Sequence, residues 1–294
     1  MKKTIFKGSA TALVTPICEK GVNFEALEKI IEFQIGNETD ALVICGTTGE
    51  APTLEDSEHL DAIECAVSVA RGRIPVIAGT GSNNTAHAIM MNKEAEKRGA
   101  DGLLWVAPYY NKSTQRGLVK HYEALAASTS LPAILYNVPS RTGSDIKAET
   151  VEELSKVENI VAIKEASGDV ARTVEIIARC EGNMDVYSGN DDIIVPMVSV
   201  GAKGVISVLS NVVPKATHDM CMYCLDGDFK KATELQIKYF SLVKALFSEV
   251  NPIPVKTAMN LMGFDAGELR LPLYEMEEKN LKNLKEIMKS HGLI

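Results

Sequence analysis

The sequence predicts an α/β fold, a (β/α)8 TIM barrel followed by a C-terminal helical appendage. Eight short runs are apolar at nearly every position, which is typical of strands buried on both faces of a parallel sheet. Segments with helical periodicity lie between these runs, which is the alternation of a barrel. A doubly wound open sheet is the alternative, and the lack of a Gly-x-Gly-x-x-Gly fingerprint after the first strand disfavours it.

The strand-like runs end in small or polar residues and are rich in β-branched side chains. In order, they cover residues 11–15, 41–45, 75–78, 102–106, 132–136, 160–163, 184–187 and 204–208. Between the first two, residues 23–36 carry apolar side chains near a 3.6-residue period, which predicts a helix. Residues 85–98 predict another helix, with Asn83 or Asn84 as its cap.

After about residue 210 the strand patterns stop. Residues 228–246 and 275–289 are amphipathic, and Pro214, Gly227 and Pro252 separate the stretches. We therefore expect residues 1–225 to form the catalytic barrel and residues 226–294 to form a helical region packed on it. These helices would cap the barrel or join subunits.

Composition excludes several classes of protein. Of 294 residues, 46% are hydrophobic and 24% charged, as in ordinary globular proteins. The net charge of −8 argues against a nucleic-acid partner. Six scattered cysteines suit a reducing compartment, and Gly8, Ser9 and Thr11 interrupt the apolar core that a signal peptide needs. No apolar stretch is long enough to span a membrane, so we expect a cytoplasmic protein.

In a barrel, catalytic groups lie at the C-terminal ends of strands. Lys164 directly follows the run 160–163, where desolvation would lower the pKa of its amine and supply a nucleophile for a Schiff base. The alternative is an ion pair with Glu165 or another acid at the rim. Tyr136 ends the preceding strand, so it would lie beside Lys164 and could transfer protons there. The alternative is a tyrosine that only packs.

The remaining polar motifs are weaker indications of a functional site, because each also fits a purely structural role. The Gly-Thr-Thr-Gly segment at 46–49 offers hydroxyls and backbone amides for a small carboxylate, although it could be only a turn. His218, Cys221 and Cys224 have metal-ligand spacing, but the same spacing fits a packed helix stripe. Asp191 and Asp192 are more typical of a helix start than of a cation site. We expect no metal site.

Several motifs resemble those of the dihydrodipicolinate synthase family, within the pyruvate-dependent class I aldolase superfamily. They lie at residues 46–50, 108–112, 136–143, 164–168, 188–191, 204–208 and 251–256, and so extend along nearly the whole chain. The resemblance implies a lyase that condenses pyruvate with L-aspartate-4-semialdehyde to give 4-hydroxy-tetrahydrodipicolinate, in lysine and diaminopimelate biosynthesis. It implies no metal and no organic cofactor.

On this resemblance, Lys164 forms the Schiff base with pyruvate and Tyr136 is the central proton donor and acceptor. Thr47 and Tyr110 complete a proton relay to solvent, with Tyr110 reaching into the site of a neighbouring subunit. The resemblance therefore implies a homo-oligomer, a dimer of tight dimers.

The resemblance also implies the substrate-binding residues. Thr48, with groups around Gly189 and Ile206, would hold the pyruvate carboxylate, and Arg141 would bind the carboxylate of the semialdehyde. Arg141 and the double threonine favour the synthase over an aldolase of sugar acids, such as N-acetylneuraminate lyase. A third hypothesis is a catalytically silent barrel that serves as a sensor or structural partner.

One departure from the family concerns inhibition by L-lysine. Family members that L-lysine inhibits bind it at the tight dimer interface, and His59, Asn83 and Tyr109 match that cleft. However, His87 stands where they typically carry glutamate, and Asp56 where they often carry histidine. Because a partner for the ammonium of lysine is lost, we expect weak or absent inhibition.

Overall fold

The computed structural model describes residues 2–294. Eight parallel strands close into a barrel in which each strand pairs with the next one along the chain. A short antiparallel hairpin, β2 (Ile17–Cys18) and β3 (Gly21–Val22), lies outside the barrel. The barrel strands are β1 (Gly8–Ala12), β4 (Ala41–Ile44), β5 (Val76–Gly79), β6 (Gly102–Val106), β7 (Ala133–Asn137), β8 (Ile160–Glu165), β9 (Asp185–Ser188) and β10 (Gly204–Ser207).

Helices follow the strands and continue into the tail. Along the barrel they are α1 (Phe24–Gly36), α2 (Asp56–Ala70), α3 (Thr85–Lys97), α4 (Gln115–Ala126), α5 (Pro139–Thr142), α6 (Ala148–Leu154), α7 (Val170–Cys180), α8 (Ile194–Ser199) and α9 (Pro214–Leu225). The tail adds α10 (Phe229–Leu246), α11 (Ile253–Leu261) and α12 (Glu278–Ser290). No helix of residues 2–294 has both the length and the apolarity that crossing a bilayer requires.

The helix starts follow from local capping chemistry. The side chains of Asn23, Asn84 and Asp228 each accept hydrogen bonds from backbone amides in the first turn of α1, α3 and α10. Amides in a first turn lack helical partners, so these side chains satisfy them. The predicted helices at 23–36 and 228–246 are thus one residue too long, because their first residues are caps.

The eight predicted strands all occur, in the predicted order, but the first was wrongly placed. β1 lies at Gly8–Ala12 and not at 11–15. Its two polar residues, Ser9 and Thr11, are buried: the Thr11 hydroxyl donates to Gln34, and the backbone amide of Ser9 donates to Asp40, although the Ser9 hydroxyl has no partner. Hydrogen-bonded polar groups can enter a core, so the apolar pattern misses this strand. β8 also extends through Lys164 to Glu165.

The core has two layers. Side chains that point into the barrel include Ala10, Ile77, Ile134 and Ile206, while the opposite face of each strand packs on the helices. In the tail, α10 packs against α8, α9 and α12, and α11 contacts α12. The division into a barrel, 1–225, and a helical region, 226–294, stays a prediction.

Candidate active site

Lys164 lies near the end of β8 and is buried at the barrel mouth. Burial lowers the pKa of its amine to about 8, while Asp191 opposes this shift and Arg141 adds to it. The expected alternative, an ion pair with Glu165, is wrong. Glu165 instead accepts from Asn137 at 3.0 Å and lies 3.3 Å from the Arg172 guanidinium. Within residues 2–294, Lys164 has no carboxylate within ion-pair distance.

Tyr136 lies beside Lys164, as the sequential winding of the barrel predicts. The two residues are register partners on β7 and β8, and the Lys164 Nζ lies 4.5 Å from the centroid of the Tyr136 ring. Burial raises the pKa of the Tyr136 phenol, and the Arg141 charge and the Thr47 side chain oppose that rise. The phenol therefore holds its proton near neutral pH and can donate it to a nearby acceptor.

The segment from Gly46 to Glu50 follows β4 and folds over the mouth. Thr48 is buried, and its hydroxyl accepts a hydrogen bond of 3.0 Å from the Asn251 side chain. The Gly49 carbonyl accepts from the Thr15 hydroxyl at 2.8 Å. A Cβ on Gly49 would lie 2.9 Å from that hydroxyl, so the close packing here needs glycine.

Arg141 extends from α5 toward the tail. Its guanidinium donates to the backbone carbonyl of Asn251 at 3.1 Å. Asn251 thus contacts Thr48, which is predicted to bind pyruvate, and Arg141, which is predicted to bind the semialdehyde. The motif at residues 251–256 includes Asn251 but does not indicate these contacts, because the residue is 110 and 203 positions from its two partners.

The ends of β9 and β10 complete the mouth. Gly189 follows β9, and a Cβ there would lie 2.5 Å from the Cβ of Ala166. Ile206 points into the barrel in the same apolar cluster as Tyr136. The expectation that Asp191 and Asp192 start a helix is confirmed: they are the first two residues of a short 3-10 helix, Asp191–Ile193. The Asp191 carboxylate also accepts from the amides of Val208 and Leu209 at 3.0 and 2.9 Å.

Unpartnered polar atoms surround this mouth. Among the residues that the structure describes, the buried side-chain oxygens Oδ1 of Asn190, Asp191 and Asn251 have no hydrogen-bond partner. Buried acceptors without partners are costly, so each is a place where a bound molecule or water would be favourable.

A cavity of about 390 Å³ opens at the mouth, which suits a small substrate. Thr47, Tyr136 and Arg141 line it, together with His87 and Asp56. Two larger openings, of about 910 and 1010 Å³, contain none of the predicted site residues. One is a groove between α4 and α6, and the other lies at the N-terminal ends of the strands, away from the chemistry of a barrel.

Of the predicted catalytic residues, Thr47 and Tyr136 line the cavity at the mouth, whereas Lys164 is not among its lining residues. Tyr110 lies outside the cavity as well. Its side chain is 91% exposed, on the loop after β6, with a backbone φ of 69°. A non-glycine residue in this left-handed region at a loop tip is typical of a functional constraint.

The side chains of His218, Cys221 and Cys224, which have metal-ligand spacing in the sequence, do not point toward a common position. Cys221 and Cys224 are buried in the core, whereas His218 turns away to Asp40, with 2.8 Å between Nδ1 and Oδ2. Within residues 2–294, another group of side chains, Glu38, His218 and Asp219, has the spacing of metal ligands. The ammonium of Lys215 already bridges both of these acids.

Comparisons with known proteins agree with this geometry. The model of the dihydrodipicolinate synthetase family matches residues 5–291. The chain is 55% identical over 292 residues to the 4-hydroxy-tetrahydrodipicolinate synthase of Clostridium tetani, with 99% of each chain covered. It is 51% identical to that of Acetivibrio thermocellus, over the full length of both.

Solved structures match equally well. The dihydrodipicolinate synthase of Aquifex aeolicus superposes with a TM-score of 0.96 at 48% identity, covering 98% of this chain and 99% of that one. The Acinetobacter baumannii enzyme, solved in complex with pyruvate, superposes with a TM-score of 0.97 at 45% identity, covering 99% and 100%.

Proposed function

This chain belongs to the dihydrodipicolinate synthetase family, and we propose that it performs the family's reaction through Lys164. It is a lyase of lysine and diaminopimelate biosynthesis that condenses pyruvate with L-aspartate-4-semialdehyde. The observation that carries the assignment of the nucleophile is the buried amine of Lys164. Its lowered pKa and its lack of an ion pair leave it free to attack a carbonyl.

The first half of the reaction activates pyruvate. The neutral amine of Lys164 attacks the ketone carbon, and loss of water gives a protonated imine. The imine withdraws electrons from the adjacent methyl group, which loses a proton and becomes an enamine carbon. Tyr136, 4.5 Å from Nζ at its ring centroid, is the group placed to exchange protons in these steps. Thr48, with groups around Gly189 and Ile206, holds the pyruvate carboxylate.

The second half joins the two substrates. The enamine carbon adds to the aldehyde of the semialdehyde, and a carbon–carbon bond forms. The amine of the new chain then attacks the imine carbon, which closes the ring and releases Lys164. Arg141 lines the cavity and binds the semialdehyde carboxylate, for which a guanidinium offers paired donors.

The active form is an oligomer, and we assign it as a dimer of tight dimers. In the first interface, Tyr110 of one subunit reaches the site of another and joins Thr47 in the proton relay. Its 91% exposure on an isolated chain supports this role. For the second interface, the candidates are the exposed apolar side chains Val174 on α7 and Ile237 and Phe240 on α10, two helices that both pack on α8.

We also propose that the protein is cytoplasmic. All six cysteines lie in the described part of the chain; none forms a disulfide, and four of them are buried. Thiols that remain reduced suit a reducing compartment.

Reduction with borohydride in the presence of pyruvate tests the central assignment. We expect a stable pyruvate adduct on Lys164 by peptide mass mapping, and no adduct in Lys164→Ala. Lys112→Ala, in the loop after β6, is the matched control and should keep the adduct. An adduct on another lysine would refute the assignment of Lys164.

A further inference from the structure

A buried ion pair lies just outside the cavity. The Lys256 ammonium, on α11, is 2.6 Å from Oε1 of Glu50, and neither side chain is more than 1% exposed. The same ammonium donates to the Glu268 carbonyl at 2.6 Å, and Oε2 of Glu50 accepts from the Arg270 amide at 3.1 Å. The two charges therefore join the Gly46–Glu50 loop to the tail of the chain.

Such a pair needs a reason beyond stability. Removing two charges from water is costly, and replacing a buried ion pair with apolar side chains often leaves a protein equally stable. The directed geometry of the pair is what an apolar contact cannot reproduce. Its location, at the end of a loop that carries Thr47 and Thr48, indicates what that geometry controls.

The loop itself has an unusual backbone. Cys45 and Glu50, at its two ends, both have a φ of 55°, a region that non-glycine residues occupy only when their surroundings hold them there. At the first end, the Cys45 side chain is buried against the His59 carbonyl. At the second end, the Lys256 ammonium and the Arg270 amide each hold one oxygen of the Glu50 side chain, and Lys256 supplies the charge.

The same tail segment touches the loop a second time. Asn251 donates to the Thr48 hydroxyl at 3.0 Å, from just before α11, while Lys256 holds Glu50 from its second turn. We infer that Lys256 is a positioning residue, which acts through Glu50 to hold the loop that carries Thr47 and Thr48, so that Thr48 faces the pyruvate carboxylate. This inference rests on the proposed function, in which that loop binds pyruvate.

Steady-state kinetics of Lys256→Met and Glu50→Gln test the inference. We expect the KM for pyruvate to rise about tenfold or more, because the loop loses the bond that orients its donors. The KM for the semialdehyde should stay within about twofold, since Arg141 is untouched. A merely structural role would reduce the amount of folded enzyme, and so lower the apparent kcat without changing either KM.

Two further variants sharpen the test. The double variant Lys256→Met/Glu50→Gln carries neither charge of the buried pair, so its melting temperature should be closer to wild type than that of Lys256→Met. Its KM for pyruvate should remain high. The control is Lys29→Met, which removes the lysine of an exposed Lys29–Glu25 pair on α1 and should change nothing.

The failures of the two proposals are distinguishable. If folded Lys256→Met and Glu50→Gln both keep the wild-type pyruvate KM while the wild-type adduct maps to Lys164, the positioning role is overturned and the proposed function stands. If the wild-type enzyme forms no adduct with pyruvate, the proposed function itself fails. Glu50→Gln preserves side-chain volume, so it remains informative if Lys256→Met does not fold.

Discussion

The state of Lys164 decides how the enzyme responds to pH. Only the neutral amine attacks a ketone, and its pKa of about 8 leaves about a tenth of it neutral at pH 7, against less than about a thousandth at the usual lysine value. The rate of adduct formation should therefore rise about tenfold per pH unit below pH 8 and level off above it. Single-turnover borohydride trapping across pH measures this profile.

The charge of Asp191 contributes to the pKa of Lys164. Its carboxylate raises the pKa of Lys164, so Asp191→Asn should move the midpoint of the profile to lower pH. Asparagine keeps an oxygen for the amides of Val208 and Leu209, so the local fold should survive. Asp192→Asn, at an exposed neighbour, is the matched control. A midpoint that stays in place would contradict a direct charge effect on Lys164.

Arg141 separates the two half-reactions. Arg141→Ala should spare the pyruvate adduct and lower kcat/KM for the semialdehyde about 10- to 150-fold, equivalent to the 1.5–3 kcal/mol of hydrogen bonds to a charged group. Because the guanidinium lowers the pKa of Lys164, the same variant should shift the pH midpoint upward, opposite to Asp191→Asn. Equal activity with sugar-acid aldehydes would instead favour the aldolase hypothesis.

At the scale of elements, the starts of α2 and α3 carry Asp56 and His87, the two residues on which the predicted weak inhibition by L-lysine rests. Asp56 begins α2, and its carboxylate lies 2.9 Å from Nε2 of His87 in the first turn of α3. This carboxylate is thus already engaged, which agrees with the expectation of weak inhibition. Purified enzyme should keep most of its activity at millimolar L-lysine. The double variant Asp56→His/His87→Glu should gain inhibition, and strong inhibition of the wild type would refute the idea.

The elements also explain which features could be predicted from the sequence. Strands buried on both faces leave a visible apolar pattern, so seven of eight runs overlap the observed strands closely, and only β1, with its buried Ser9 and Thr11, was misplaced. Lys164 and Tyr136 could be predicted because neighbouring strands align their ends. Asn251, Glu50 and Lys256 could not be placed, because their contacts join segments about 200 residues apart.

At the scale of the whole molecule, a substitution on the outer face of α7 and α10 tests the proposed second interface. Both helices pack on α8, and Val174, Ile237 and Phe240 are 47%, 70% and 46% exposed. Ile237→Asp should place a charge in the buried contact and convert tetramers to dimers, as measured by sedimentation velocity. Ile294→Asp, an exposed apolar residue at the chain end, is the control. A tetramer that persists in Ile237→Asp would exclude this face.

The proposed tight dimer is tested by complementation, because two inactive variants can together form one intact site. In a mixed dimer of Lys164→Ala and Tyr110→Phe, one site carries both defects. The other site combines an intact Lys164 with the intact Tyr110 of its neighbour. If Tyr110 acts across the interface, an equal mixture of the two variants, dissociated and reassembled, should recover about a quarter of wild-type activity, since half the dimers are mixed and each has one good site. If Tyr110 acts within its own subunit, both sites of every mixed dimer are defective. Reassembly would then give no more activity than the separate variants together.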